Sequence, residues 1–267
     1  MGVKNPVGGY RRRWGNPEGY KGPYGPSHAV RPGGRLTAIS LAWLGALALA
    51  ASPPDPAVGA LVDKVIEAYG GLPALEKFPV MIQEGHVAAH EAKDVGRIVR
   101  IQERPRRLRV SIAYPGSAPE QRILDGARGW RDGREVSGSP PHGAMLLQAA
   151  RMDLPVSLST GRQRLVDEGT VERDGVKLRA ILLPLGDGLS ITAEIDPASG
   201  RIVRSVGRMP GPVGSLEFVT AYSEFRKVSG VLVPFREENF VQGRHSGTTE
   251  ILTTEFLVEA PTGAFRP

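Results

Sequence analysis

From Val80 to its end the chain is written in short runs of alternating apolar and polar residues broken at Gly, Pro and Asp. Apart from one helical stretch that interrupts it, this texture limits the segment to antiparallel β-structure. The alternation is clearest in Arg107-Leu108-Arg109-Val110-Ser111-Ile112, where Leu108, Val110 and Ile112 face one side and the polar residues the other. Such a sheet has one wet face. Arg173-Asp174-Gly175, Gly186-Asp187-Gly188 and Asp196-Pro197-Ala198-Ser199-Gly200 are hairpin connections, supplying glycine for positive φ or a preset proline. The expected strands are 80–91, 95–103, 106–114, 119–125, 128–136, 162–173, 176–183, 188–196, 201–208, 214–227, 230–241 and 245–258. Consecutive hairpins put neighbours side by side, so about ten to twelve strands form one long meander, strongly curved or partly closed as a sheet of that size becomes. No fixed-period repeat is present, which removes propellers and solenoids.

A few helices accompany the sheet. In 56–69, Val58, Leu61, Val62, Val65, Ile66 and Tyr69 recur at helical spacing, and Gly70-Gly71 stops the helix. Residues 72–78 add a short helical turn before Pro79. Residues 143–152, GAMLLQAARM, lack β-branched side chains and carry strong helix formers, with Pro155 ending the stretch. Met145, Leu146, Leu147, Met152, Leu154 and Leu158 make this region more apolar than one sheet face requires. Two readings are open: ordinary core packing, or an apolar lid over a cavity, for which adaptable methionines are suited. Trp130, after an Asp-Gly turn, either forms a cavity wall or covers the sheet edge. The fold class is therefore α+β, mostly β: a strongly curved antiparallel sheet with helices plugging its concave face.

Upstream, residues 36–51 form a sixteen-residue run without charge, preceded by Arg35 and followed by Pro53-Pro54. The run is short of the ~20 residues of a membrane-spanning helix, and Ala48-Leu49-Ala50 supplies the small-residue pattern of a signal-peptide cleavage site. It reads as an export signal, or as an anchor if uncleaved, and places the domain 53–267 outside the cytoplasm. Of the 34 basic and 28 acidic residues, seven and one precede the run, which leaves 27 of each beyond it. The formal charge of +6 therefore sits in the leader, and a nucleic-acid partner loses its electrostatic support. Residues 1–35, rich in Gly, Pro, Tyr and Arg, read as a disordered leader or as a misplaced start. With no cysteine, disulfides, zinc-thiolate sites, thiol nucleophiles and a lipidated cysteine are all excluded.

The order of parts resembles a known family. An export signal, an amphipathic helix ending in Gly70-Gly71-Leu72 and running to Lys77, a strand near Ile82-Gln83-Glu84-Gly85 and the segment Leu124-Asp125-Gly126-Ala127-Arg128-Gly129-Trp130 look like the LolA-type proteins. These are periplasmic lipoprotein carriers and their relatives, including RseB-type regulators. Gly230-Val231-Leu232-Val233-Pro234, a long strand, a hairpin, and the tail Pro261-Thr262-Gly263-Ala264-Phe265 are similar too, so the resemblance spans 57–266. It implies a half-open barrel whose apolar interior receives acyl chains, a lid at 143–152, and an arginine on a strand that latches the lid. Arg97, Arg100 and Arg109 are the candidates on the early strands; each also reads as solvated surface arginine.

Catalytic readings are weak by comparison. His86 and His90 on one strand stand ~13 Å apart, too far to share a metal. Glu237 and Glu238 point to opposite faces, and no Gly-x-Ser-x-Gly elbow occurs. His142 and His245 read as solvent-facing. The expectation is a non-catalytic exported carrier without cofactor or metal, holding acyl chains of lipid or lipoprotein against Met145, Leu146, Leu147, Met152, Leu154, Leu158, Leu108, Val110, Ile112 and Trp130. The alternative is an envelope sensor or interaction module that binds a protein partner, with membrane contact through 36–51 if that segment is retained.

Overall fold

Asp55 begins the ordered architecture by accepting a hydrogen bond from the Ala57 N–H at 2.8 Å, while Pro56 fills the first helical position of α1 (Pro56–Ala68). The computed structural model describes residues 55–90 and 94–267, so the leader and the 36–51 run lie outside the described residues. Val58, Val62, Val65 and Ile66 form the buried stripe of α1. The helix ends where the Gly71 N–H reaches back to the Ile66 carbonyl at 2.8 Å. Gly70 lies between them at φ 113°, where a Cβ would sit 2.3 Å from the Gly230 carbonyl oxygen, so this stop demands glycine twice over. A short helix, α2 (Leu72–Lys77), follows.

Six strands come next: β1 (Val80–Ala89), β2 (Gly96–Glu103), β3 (Arg107–Ala113), β4 (Glu120–Asp125), β5 (Arg128–Arg131) and β6 (Arg134–Glu135). Two helices, α3 (Pro140–Met152) and α4 (Leu154–Thr160), and a 3₁₀ turn at Arg162–Arg164 separate them from seven more. These are β7 (Val166–Arg173), β8 (Val176–Gly186), β9 (Leu189–Ile195), β10 (Ile202–Pro210), β11 (Ser215–Val228), β12 (Val231–Val241) and β13 (Arg244–Leu257). All thirteen form one unclosed antiparallel sheet in the order β6-β5-β4-β3-β2-β1-β13-β12-β11-β10-β9-β8-β7.

That order corrects the single meander expected from the hairpins. There are two meanders, joined where the first strand pairs with the last, Val80 opposite Leu257. Hairpin chemistry fixes only neighbours in sequence, and the β1–β13 seam is a long-range pairing that no turn announces. The expected strand 128–136 is a hairpin, because Asp132 and Gly133 take φ 50° and 74° and reverse the chain. The start of the expected strand 162–173 is the 3₁₀ turn. The 143–152 stretch ends at Met152 as expected, and Pro155 then occupies the first turn of a further helix, α4, where its missing N–H costs nothing.

The helices cover one face of the sheet. α3 crosses it, touching β3, β4 and β5 on one side and β9 and β10 on the other, and α1 lies against α4. Beneath them Val62, Val65, Leu154, Leu158, Ile181 and Ile195 form the larger core cluster. Ile98, Leu108, Val110, Leu124, Met145 and Ala149 form the cluster between α3 and the early strands. The opposite face of those strands carries Ile123 and Trp130 under Ala264 and Phe265 of the C-terminal tail.

Candidate functional site

Alternate residues of β2 turn inward, and the inward set is Ile98, Arg100 and Gln102. A guanidinium in that row is placed under the helices instead of in water: Arg100 is 1% exposed. Its charge is met by Glu237 of β12, through Nη1 to Oε2 at 2.8 Å and Nη2 to Oε1 at 3.0 Å. Nη2 also donates to the Gln83 side-chain oxygen on β1 at 2.8 Å. Arg151, near the end of α3, brings Nη1 to 3.2 Å from the same Glu237 Oε2. Burial alone pushes the Glu237 carboxyl up, but Arg100 and Arg151 outweigh it and hold the group at about 2. Glu237 is therefore a fixed anion, unavailable for proton transfer. Nearby, the Tyr222 hydroxyl lies 2.7 Å from Ser205 Oγ, and burial raises its pKa against the lowering effect of Arg151.

This charged group separates two hollows under the helices. The smaller, of about 90 Å³, lies between α2, the α3–α4 junction and the middle of the sheet, walled by Phe78, Met81, Leu154, Val156, Leu232 and Phe256. The larger, of about 250 Å³, lies beneath α3 between Val87, Ile98, Val110, Leu147, Phe218 and Val241. Arg151 and Glu237 line both.

A second arginine ties the helices down. Arg104, just past β2, donates through Nη2 to the carbonyls of Leu75 and Phe78 at the end of α2. Its Nε is 3.5 Å from Asp153, the residue between α3 and α4. Burial raises Asp153 to about 7 in spite of Arg104.

The residues expected to contact a guest are distributed over this arrangement. Met152 and Leu154 line the smaller hollow, and Val110, Ile112 and Leu147 the larger. Met145 packs with Leu108 and Leu124, and Leu146 fits beside them at the edge. Leu158 is fully buried under α1. Trp130 belongs elsewhere. It pairs with Ile123 across β4 and β5, on the sheet face away from the helices, with Arg128 over its ring at 4.8 Å, and lines neither hollow. The alternation of β5 decides this, since Gly129 takes the inward place.

Three further readings change. Arg100 is not a solvated surface arginine, because the period of β2 turns it inward, whereas Arg97 stays exposed beside Glu84 and Arg109 binds the Ala264 carbonyl at 3.1 Å. Arg104, missed in the sequence, makes the carbonyl contacts; its only signal was its position at a hairpin before Pro105. His142 does not face solvent: it is 8% exposed under Gly129 in the first turn of α3, where Nδ1 accepts from the Gly138 N–H at 3.1 Å. Glu237 and Glu238 do point to opposite faces, Glu238 binding Thr248 and His245 at 2.7 and 2.8 Å outside. Among the described residues no cluster of three or more His, Asp or Glu could hold a metal ion, and no helix is long and apolar enough to cross a membrane.

The architecture has a solved counterpart. A LolA superfamily protein from Nitrosomonas europaea superposes with a TM-score of 0.51 at 12% identity, over 79% of this chain and 97% of that one. The fold is LolA-type. A DUF1329 family protein from Desulfovibrio piger gives a TM-score of 0.46 at 9% identity, over 78% and 97% of the two chains. The lipoprotein LppX of Mycobacterium tuberculosis gives 0.28 at 13%, over 78% and 98%. No family model and no curated protein matches the chain. The LolA-type likeness is thus one of fold: an open, curved sheet with helices lodged on its inner face.

Proposed function

We propose that this chain is an exported, non-catalytic binding protein that carries lipid or lipoprotein acyl chains in the space between α3 and the inner sheet face. The observation that carries the reading is the pair of adjoining, partly apolar hollows that meet at Arg151 and Glu237, the larger under α3 and the smaller under α2 and the α3–α4 junction, with α3 bridging both arms of an unclosed sheet. The LolA-type fold of a superfamily linked with lipoprotein carriage agrees with it.

The energetics favour a hydrocarbon guest. Each methylene withdrawn from water contributes about 0.8 kcal/mol. A dry cavity of about 150 Å³ accepts a benzene-sized molecule, so the larger hollow takes a short stretch of chain as it stands. A longer chain requires α3 to rise and exchange its own contacts for those of the guest. Met145, Leu146, Leu147, Met152, Leu154 and Leu158 on the lid side, and Leu108, Val110 and Ile112 on the sheet side, are the residues we assign to that exchange. The domain is taken to be 53–267, exported to the periplasm by the 36–51 signal.

A protein-binding role is the second reading, favoured by the unpaired outer edge of β7, where Val166 is exposed and a partner strand could add. Native mass spectrometry of the exported chain, before and after mixing with phospholipid and acylated peptide, tests the first. Mass increments of one acyl-bearing guest are expected; an empty protein under conditions in which a known carrier retains lipid would overturn it.

A further inference from the structure

The wall between the two hollows carries charges that an apolar carrier does not need. Arg100 and Arg151 share one carboxylate, Glu237, so the buried group has one positive charge in excess. Arg104 and Asp153, which also line the smaller hollow, are paired with each other at 3.5 Å and supply no counterion to this group. The hydrogen-bond ledger is uneven in the same direction. Arg100 Nε is buried without a hydrogen-bond partner, as is Gln102 Nε2 close by, and Arg151 Nη1 has only the shared Glu237 carboxylate at 3.2 Å, without hydrogen-bond geometry. Each is an N–H donor. The acceptors around them are already engaged: Glu237 by Arg100, Gln83 by Arg100, and Asn239 by Thr220 at 2.9 Å.

A buried donor left unsatisfied costs about 1–3 kcal/mol, and a buried charge without its counterion costs more. A group that supplies acceptors and one negative charge would remove both costs together. Arg100 and Arg151 both line the larger hollow, whose remaining wall includes Val87, Ile98, Val110 and Phe218. The hollow therefore joins a cationic wall to an apolar side, with Gln148, Thr220, Asn239 and Thr249 between them, and Arg122 on its rim is already paired with Glu120 at 2.7 Å.

We propose that this wall is a headgroup site for a carboxylate, and that the favoured guest is a single-chain fatty acid whose anion meets Arg151 and Arg100 while its tail lies under α3. The assignment rests on the carrier reading and narrows it. A carboxylate presents two oxygens and about four lone-pair directions, which suits two guanidinium donors approaching from a strand and a helix, Arg100 from β2 and Arg151 from α3. It also brings one charge, equal to the excess. A phosphate monoester would bring a second charge with nothing to offset it.

The test compares palmitate, hexadecanol and hexadecyl phosphate, titrated calorimetrically into the delipidated full-length protein. These guests share a tail and differ in the head. Charge-assisted bonds of this kind predict palmitate binding about tenfold or more tighter than hexadecanol. Arg151→Met should reduce palmitate affinity by about the same factor, bringing it down to that of hexadecanol for the same variant. Equal affinities for acid and alcohol, tighter binding of the phosphate, or an equal loss of both in Arg151→Met would overturn the headgroup site while the carrier reading stood. If none of the three bound, the carrier reading itself would go. The comparison of acid with alcohol needs no variant, so it decides the matter even if Arg151→Met does not fold.

Discussion

Arg100 on β2 and Glu237 on β12 form a two-point ion pair, at 2.8 and 3.0 Å, across the two strands that close the sheet's long-range seam. β1 and β13 lie between them in the sheet. The pair therefore clamps the two meanders from the inside, at the one place where no hairpin connects them. Arg151 extends the clamp to α3.

Removing the shared carboxylate should be severe. Glu237→Gln leaves two buried guanidiniums without a counterion, a change of the kind that costs about 3–5 kcal/mol. Urea unfolding followed by circular dichroism measures it. A loss under about 1 kcal/mol, the size of an exposed pair, would mean that the group is solvated and no clamp exists.

The same carboxyl sets an acid limit. Burial raises Glu237, the two arginines more than compensate, and its folded value of about 2 lies below the ordinary 4.5. The stabilisation is present above about 4.5 and disappears as pH falls through about 2. Melting temperatures of the wild type and Glu237→Gln should therefore converge between those two values. Parallel curves down to the lowest pH would contradict the pairing.

Asp153 works in the opposite sense. Burial raises its folded value from 3.8 to about 7, so the folded protein holds a proton that the unfolded chain has released in that interval. Its contribution falls as pH rises from about 4 to about 7. Wild type should lose stability relative to Asp153→Asn across that range. A difference that stays constant, or grows in favour of wild type, would show that Arg104 dominates after all.

Gly85 marks a close approach on the seam. A Cβ there would lie 2.0 Å from the Glu250 carbonyl oxygen, at the bulge where the β1–β13 register shifts. Gly85→Ala should cost at least the ~1–3 kcal/mol of overpacking. Hydrogen exchange should rise first at Ile82 to Val87. Unchanged stability would place the bulge in a yielding part of the sheet.

Leu147 separates lid packing from guest binding. It is buried between Leu189 and Met209 and also lines the larger hollow. Leu147→Ala should cost about 2–5 kcal/mol if the site does not collapse. Because it also enlarges the hollow, acyl binding should be kept or strengthened in the fraction that remains folded, as read by native mass spectrometry. Abolished binding in a folded variant would show that the leucine itself grips the chain.

Much of the architecture was legible because it is local. The stripe of α1, the Gly70-Gly71 stop and the turns at Asp174-Gly175 and Asp187-Gly188 each need only a few adjacent residues. The Asp132-Gly133 turn carried the same signal, inside a run short enough to pass for one strand. Pro155 was ambiguous by nature, since a proline both ends one helix and opens the next.

The sequence by itself determined the antiparallel character, the helical plug and the apolar composition of its inner face, because periodicity and turn chemistry act over a few residues. Tertiary structure alone decided that β1 meets β13, that Arg100 faces Glu237 instead of water, that Trp130 looks away from the hollows, and that His142 is covered. Each of those depends on which strand arrives opposite, and a partner more than a hundred residues away, as Glu237 is from Arg100, leaves no mark on its neighbours in the chain.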